Sequence, residues 1–174
     1  TQVHHFSITQ ASEISSMVFW GTIFGSPFYG WLSDRLSIRK LPMIIGAVLS
    51  LAVIAIIMTI TQPSFALFAS LFFALGFITS SQIITYPLVT ECNPKHITAT
   101  SLGIASTIIM SGGAIFQPMF GALLQKNWDG TMADGVSIYS AADFHTALMI
   151  LPIAFIVSIV AACALKETHC KHVD

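Results

Sequence analysis

Long apolar stretches separated by short polar ones set the pattern of this chain. No Asp, Glu, Lys or Arg occurs between Lys40 and Glu91, between Lys95 and Lys126, or between Asp143 and Lys166. A helix needs roughly 20 mostly apolar residues to cross about 30 Å of hydrocarbon, and the first gap has room for two crossings with a turn between them. The pattern predicts five spans, over 14–32, 42–60, 65–89, 98–124 and 144–165. The connection 33–41 is short and basic, and 61–64 is a tight turn holding Pro63. The connection 90–97 carries Glu91, Asn93, Pro94 and Lys95, and 125–143 carries Gly130, Gly135, Asp129, Asp134 and Asp143. The expected fold class is all-α integral membrane: a polytopic helix bundle over 14–165, preceded by an extracytoplasmic segment 1–13 and followed by a cytoplasmic tail 166–174.

Composition agrees. The chain is 55% hydrophobic and 9% charged, against about 25% charged in ordinary soluble domains. A soluble core of 174 residues could not bury this many long apolar runs, because surface is too large relative to volume at that size. A net charge of −1 without a basic patch gives no footing for a nucleic-acid partner. Cys92, Cys163 and Cys170 are odd in number and scattered, which reads as free thiols. His4, His5, His145, His169 and His172 fall at span ends or tails, and His96 falls in a loop. No metal site and no cofactor is therefore expected. The chain opens on Thr1 with no basic region ahead of a short apolar core, so no signal peptide is read, and the expectation is a piece of a longer chain.

Orientation follows from Lys and Arg in the short loops. Arg35, Arg39, Lys40, Lys95, Lys166 and Lys171 share one side, and Lys126 stands on the other. This puts the first residues outside and the last in the cytoplasm. The second and fifth spans are apolar nearly all round and are expected to face lipid. The third carries Thr79, Ser80, Ser81, Gln82, Thr85 and Tyr86, and the fourth Ser106, Thr107, Ser111, Gly112, Gly113 and Gln117. Polar groups at membrane depth face a bundle interior or a watery cavity, so these two spans, and the first with Thr22 and Ser26, are expected to line something polar. Gly21 and Gly25 form a GxxxG surface suited to close helix packing. Pro27, Pro118 and Pro152 can kink their spans.

At the end of the first span, Gly30, Leu32, Asp34, Arg35, Arg39 and Lys40 form a spaced pattern, G-x-L-x-D-R-x-x-x-R-K. Gly30 permits a close neighbour, Asp34 accepts from basic groups, and Arg39 can grip a carboxylate with two parallel bonds. This loop resembles the signature of the major facilitator superfamily, with Ser37 where the family usually has Gly and Ile38 where it often has Arg. The run from Tyr86 to Pro94, followed by Thr98 to Gly103, is similar to the family's acidic-then-Pro loop entering a Gly-bearing helix. The stretch Gly112–Gly113 through Gln117–Pro118 to Gly121, and the finish Lys166–Glu167–Thr168, are similar to its later helix and tail.

The resemblance implies a part of the twelve-helix fold, about five transmembrane helices corresponding to helices eight to twelve of a bacterial-type carrier in the inner membrane. It implies secondary or facilitated transport of a small polar solute by alternating access, symport included. Its partners would be the lipid bilayer, that solute, a coupling ion (proton or sodium) and the missing N-terminal half of the same chain. Gly30, Asp34, Arg35, Arg39 and Lys40 would form a conformational gate. Thr22, Ser26, Thr79, Gln82, Tyr86, Ser106, Met110 and Gln117 would line the substrate cavity, and Gly21, Gly25, Gly113 and Gly121 would pack helices. No titratable group lies deep in a span, so a proton, another ion or simple facilitation all stay open. No enzymatic activity is expected. An integral membrane enzyme would need a Ser/His pair, an acidic pair or a metal cluster at depth, and none is visible. A non-transporting receptor or assembly subunit on a carrier fold is the remaining alternative.

Overall fold

The computed structural model describes residues 6–60, 63–126, 128, 130–133 and 136–171. His4, His5 and His172, with Asp129, Asp134 and Gly135, lie outside these residues, as do Thr61 and Gln62 of the tight turn.

The chain folds as a bundle of helices. Helix α1 spans Ile8–Leu36, starting well ahead of the predicted 14–32 span. Ser7 caps it: its hydroxyl accepts from the Gln10 N–H, and the Gln10 side chain accepts from the Ser7 N–H, a reciprocal pair that satisfies donors left free at a helix start. At the other end Ser37 is left-handed, with φ of 52°, a conformation that favours glycine. Helix α2 runs Lys40–Thr59 with Pro42 in its first turn, where the missing proline N–H costs nothing.

The third span is broken rather than uniform. Helix α3 (Phe65–Thr79) tightens into a 3-10 turn at Ser80–Ile84, and helix α4 (Thr85–Glu91) completes it. Two residues explain the change. Pro87 has no N–H to give the Ile83 carbonyl, and the Thr85 N–H reaches the Gln82 and Ile83 carbonyls instead. Ser80 turns its hydroxyl onto the Phe77 carbonyl at 2.5 Å.

A short 3-10 turn, Lys95–Ile97, leads into helix α5, Thr98–Lys126, with Pro118 inside it. A two-residue antiparallel ladder pairs β1 (Met132–Ala133) with β2 (Val136–Ser137). Helices α6 (Ala141–Leu148) and α7 (Ile150–Ala164) follow, separated only at Met149. Among the described residues, four helical stretches are long and apolar enough to cross a membrane: Lys40–Thr59, Phe65–Glu91, Lys95–Lys126 and Ala141–Ala164. Helix α1 is long enough but opens on Gln10, Ser12, Glu13, Ser15 and Ser16.

Packing is closest where side chains vanish. A Cβ on Gly21 would collide with the Phe73 carbonyl, one on Gly25 with the Ser80 hydroxyl, and one on Gly76 with the Val18 carbonyl. Helices α1 and α3 therefore meet backbone to backbone along one seam. Helix α2 packs between the third span and α7. Helix α5 meets α4 at one end and α6 at the other. Gly113 and Gly121, expected at close helix contacts, have no described atom within 4 Å of an added Cβ.

Candidate functional site: a buried charge cluster and a polar cleft

Arg39 is the only guanidinium among the described residues that is buried, with 5% of its surface exposed. Burying a cation is costly unless carboxylates and hydrogen bonds replace its water, and the chain brings three groups to it. Glu91, at the end of α4, accepts from Arg39 Nε at 3.1 Å and from Nη2 at 2.6 Å. Both side chains of this pair are 6% exposed. Arg39 Nη1 donates to Asp34 Oδ1 at 2.6 Å and to the Ser33 hydroxyl at 3.0 Å. Ser33 is fully buried and donates in turn to the Ile38 carbonyl at 2.8 Å. Asp34 itself is 70% exposed, so it forms the wet rim of the cluster rather than its core.

The tail after α7 closes the cluster from below. Glu167 accepts from the Arg39 N–H at 2.7 Å and the Lys40 N–H at 2.8 Å. Its carboxylate thus caps the start of α2, where free donors and the helix dipole favour a negative charge. Thr168 donates its hydroxyl to Glu91 Oε2 at 2.5 Å, and Lys40 Nζ donates to the Cys163 carbonyl at 2.5 Å. The loop after α1, the end of the third span and the tail after α7 therefore meet at one end of the bundle.

Electrostatics follow this geometry. Burial alone would lower the Arg39 pKa, but hydrogen bonds to Glu91 and Asp34 outweigh it and hold the guanidinium above its ordinary range. Burial would raise Glu167, but the N–H groups of Arg39, Lys40, His169 and Thr168 hold it below the usual carboxylate value. The Cys170 thiol is pushed up, chiefly by burial.

The five residues expected to form the gate thus have different places. Arg39 is the hub, Asp34 the rim, and Lys40 an attachment point for the tail. Arg35 lies outside the cluster, its guanidinium 5.2 Å from the centre of the Trp31 ring. Gly30 has no described atom within 4 Å of an added Cβ, because no described helix passes that face of α1. Sequence reasoning leaves Ser33, Glu91, Glu167 and Thr168 without a partner. One signal was available: Glu91 is the only acid between Lys40 and Lys95, and a lone carboxylate between apolar spans needs a cation.

The cavity candidates do not form one group. Thr22 and Thr79 meet at the Gly76 carbonyl, at 3.4 and 3.2 Å, and each also donates to the carbonyl four residues back. Ser26 and Tyr86 are half-buried. Thr79 and Gln82 line a cleft of about 480 Å³ between α2, the 3-10 turn and α7, together with Ser50, Ser81, Thr85 and Ser158. Ser106 is half-buried on α5, Met110 is exposed, and Gln117 lines a separate depression with Phe116, Phe120, Ile150 and Leu151. The cleft walls include the second and fifth spans, expected to face lipid. An average over an apolar span hides a single hydroxyl such as Ser50 or Ser158.

Among the described residues no cluster of His, Cys, Asp or Glu could hold a metal ion. No curated protein and no solved structure matches the chain. A family model described as the Major Facilitator Superfamily matches residues 1–172, nearly the whole length, and the chain belongs to that superfamily of membrane transporters.

Proposed function

We propose that this chain is the cytoplasmically latched portion of a secondary carrier that moves a small polar solute by alternating access. The observation that carries this reading is the buried Arg39–Glu91 pair, held by Ser33, Asp34 and Thr168. Three chain segments converge on that pair at one end of the bundle, and the Lys/Arg bias makes this end cytoplasmic. A carrier must alternate between two arrangements, and a contact set made in one and lost in the other shifts their balance. The cluster has the form such a set requires. Its inner pair is dry and bidentate, whereas Asp34 and Arg35 stay accessible to whatever approaches the cytoplasmic face.

The solute would be bound deeper, by hydroxyls, amides and aromatic faces rather than charges. Thr22, Ser26, Thr79, Gln82 and Tyr86 are the candidates on the first and third spans, and Ser106, Met110 and Gln117 those on the fourth. The remaining helices of the carrier would complete that cavity, with this chain supplying helices eight to twelve. Uptake by the full-length protein in proteoliposomes tests the reading. Asp34→Asn and Glu91→Gln are expected to slow uptake at saturating solute, and Gln82→Ala to raise KM. Uptake by all three variants at the unaltered protein's rate and KM would sink it.

A further inference from the structure

The cleft between α2, the 3-10 turn and α7 has a feature the latch does not use. Ser50 is 1% exposed, lines the cleft, and its hydroxyl has no hydrogen-bond partner among the described residues. This departs from the habit of the chain. Ser12, Ser15, Ser16, Ser70 and Thr107 each donate to the carbonyl four residues back at 2.8–2.9 Å, the usual way a helix hydroxyl is satisfied in apolar surroundings. A buried polar atom left unpaired is costly and calls for a ligand or an ion.

The surroundings say which. Ser81 is 5% exposed and packs against Gly46, where an added Cβ would fall on its hydroxyl. Gln82, Thr85 and Ser158 bring further oxygens from three elements. The third span gives up its α-helical pairing here for a 3-10 turn, whose hydrogen bonds have poorer geometry. All of these donors are neutral oxygens, the Gln82 amide N–H aside. With no carboxylate in the lining, the set is too weakly charged for a divalent ion. The nearby cation Lys40 is tied to the Cys163 carbonyl, so nothing in the lining attracts an anion.

We propose that this cleft binds a monovalent alkali cation, with the Ser50 hydroxyl as a ligand at its floor. The role of the ion as a coupling ion rests on the carrier reading; the binding does not.

The test is thermal unfolding of the full-length protein in detergent, in sodium, lithium or potassium chloride against choline chloride at equal ionic strength. A ligand that binds only the folded state raises Tm, and about 4 °C is expected for at least one alkali cation at saturation. Ser50→Ala should abolish the rise, and because it removes an unsatisfied hydroxyl it should not lower Tm in choline. Should Ser50→Ala fail to fold, the near-isosteric Thr85→Val takes its place, with a smaller rise expected. Equal Tm in choline and in every alkali salt, or an undiminished rise in both variants, overturns the site and leaves a polar cleft holding only water or a neutral solute. Solute uptake by the same preparation separates the two readings. Uptake without a cation-dependent rise sinks the site alone, whereas a rise without uptake of any solute sinks the carrier reading and keeps the site.

Discussion

Arg39 and Glu91 stand 52 positions apart in sequence, yet their side chains form a two-bonded ion pair, each 6% exposed. Such a pair is worth little against an apolar replacement of both partners, but removing one partner strands the other charge in a dry site. The cluster is therefore a point of specificity: it dictates which three segments share an end of the bundle. Glu91→Ala is expected to cost about 3–5 kcal/mol, and the double variant Arg39→Met/Glu91→Leu much less. Denaturation of the parent and the two variants measures the difference.

Arg39→Lys keeps the charge and loses the fork. The guanidinium serves Glu91, Asp34 and Ser33 at once, and a compact ammonium cannot span all three. Stability should fall by about 1–3 kcal/mol, measured by the same denaturation. A lysine variant indistinguishable from the original would mean that charge alone suffices.

Ser37 ends α1 at φ of 52°, a region that costs a non-glycine residue roughly 1–2 kcal/mol. Ser37→Gly is expected to stabilise the protein by about 0.5–1 kcal/mol after the larger chain entropy of glycine is counted. A rise in Tm of a few degrees checks this.

The tail is a pH-sensitive attachment. Glu167 has a folded-state pKa below its ordinary value, so its contribution is complete above the unfolded value near 4.3 and is lost as pH falls through the depressed folded value. Docking should hold at neutral pH and fail in the acid range. Pepsin digestion between about pH 2 and 5 should release the tail only at the acid end. Glu167→Gln should release it throughout.

Much of the fold is legible in the sequence because lipid imposes one simple demand, a long run without charge. The gaps after Lys40, Lys95 and Asp143 mark the helices directly, and the loop pattern points to Asp34 and Arg39. The longer start of α1 is written in Ser7 and Gln10 as a capping pair. The rest depends on distance. Nothing near Glu91 or Glu167 in sequence says that both converge on residue 39, since they reach it from 52 and 128 positions away. Periodicity puts Thr79, Gln82 and Tyr86 on one helical face, but the 3-10 turn interrupts the period at Ser80 and sends Gln82 toward α2 and α7. The polar stripe of α5 indicates a partner without naming it.

Cys170 lies half-buried beside the Arg39 cluster, and it reports on the central claim directly. In the full-length protein with Cys92 and Cys163 replaced by Ser, the labelling rate of Cys170 by a membrane-impermeant maleimide should be measured in inside-out and right-side-out vesicles. Labelling is expected only in inside-out vesicles, slow in the parent and about tenfold faster in Glu91→Gln, equivalent to roughly 1.4 kcal/mol of lost docking. Labelling from the outer face, or an equal rate with and without Glu91, would contradict it.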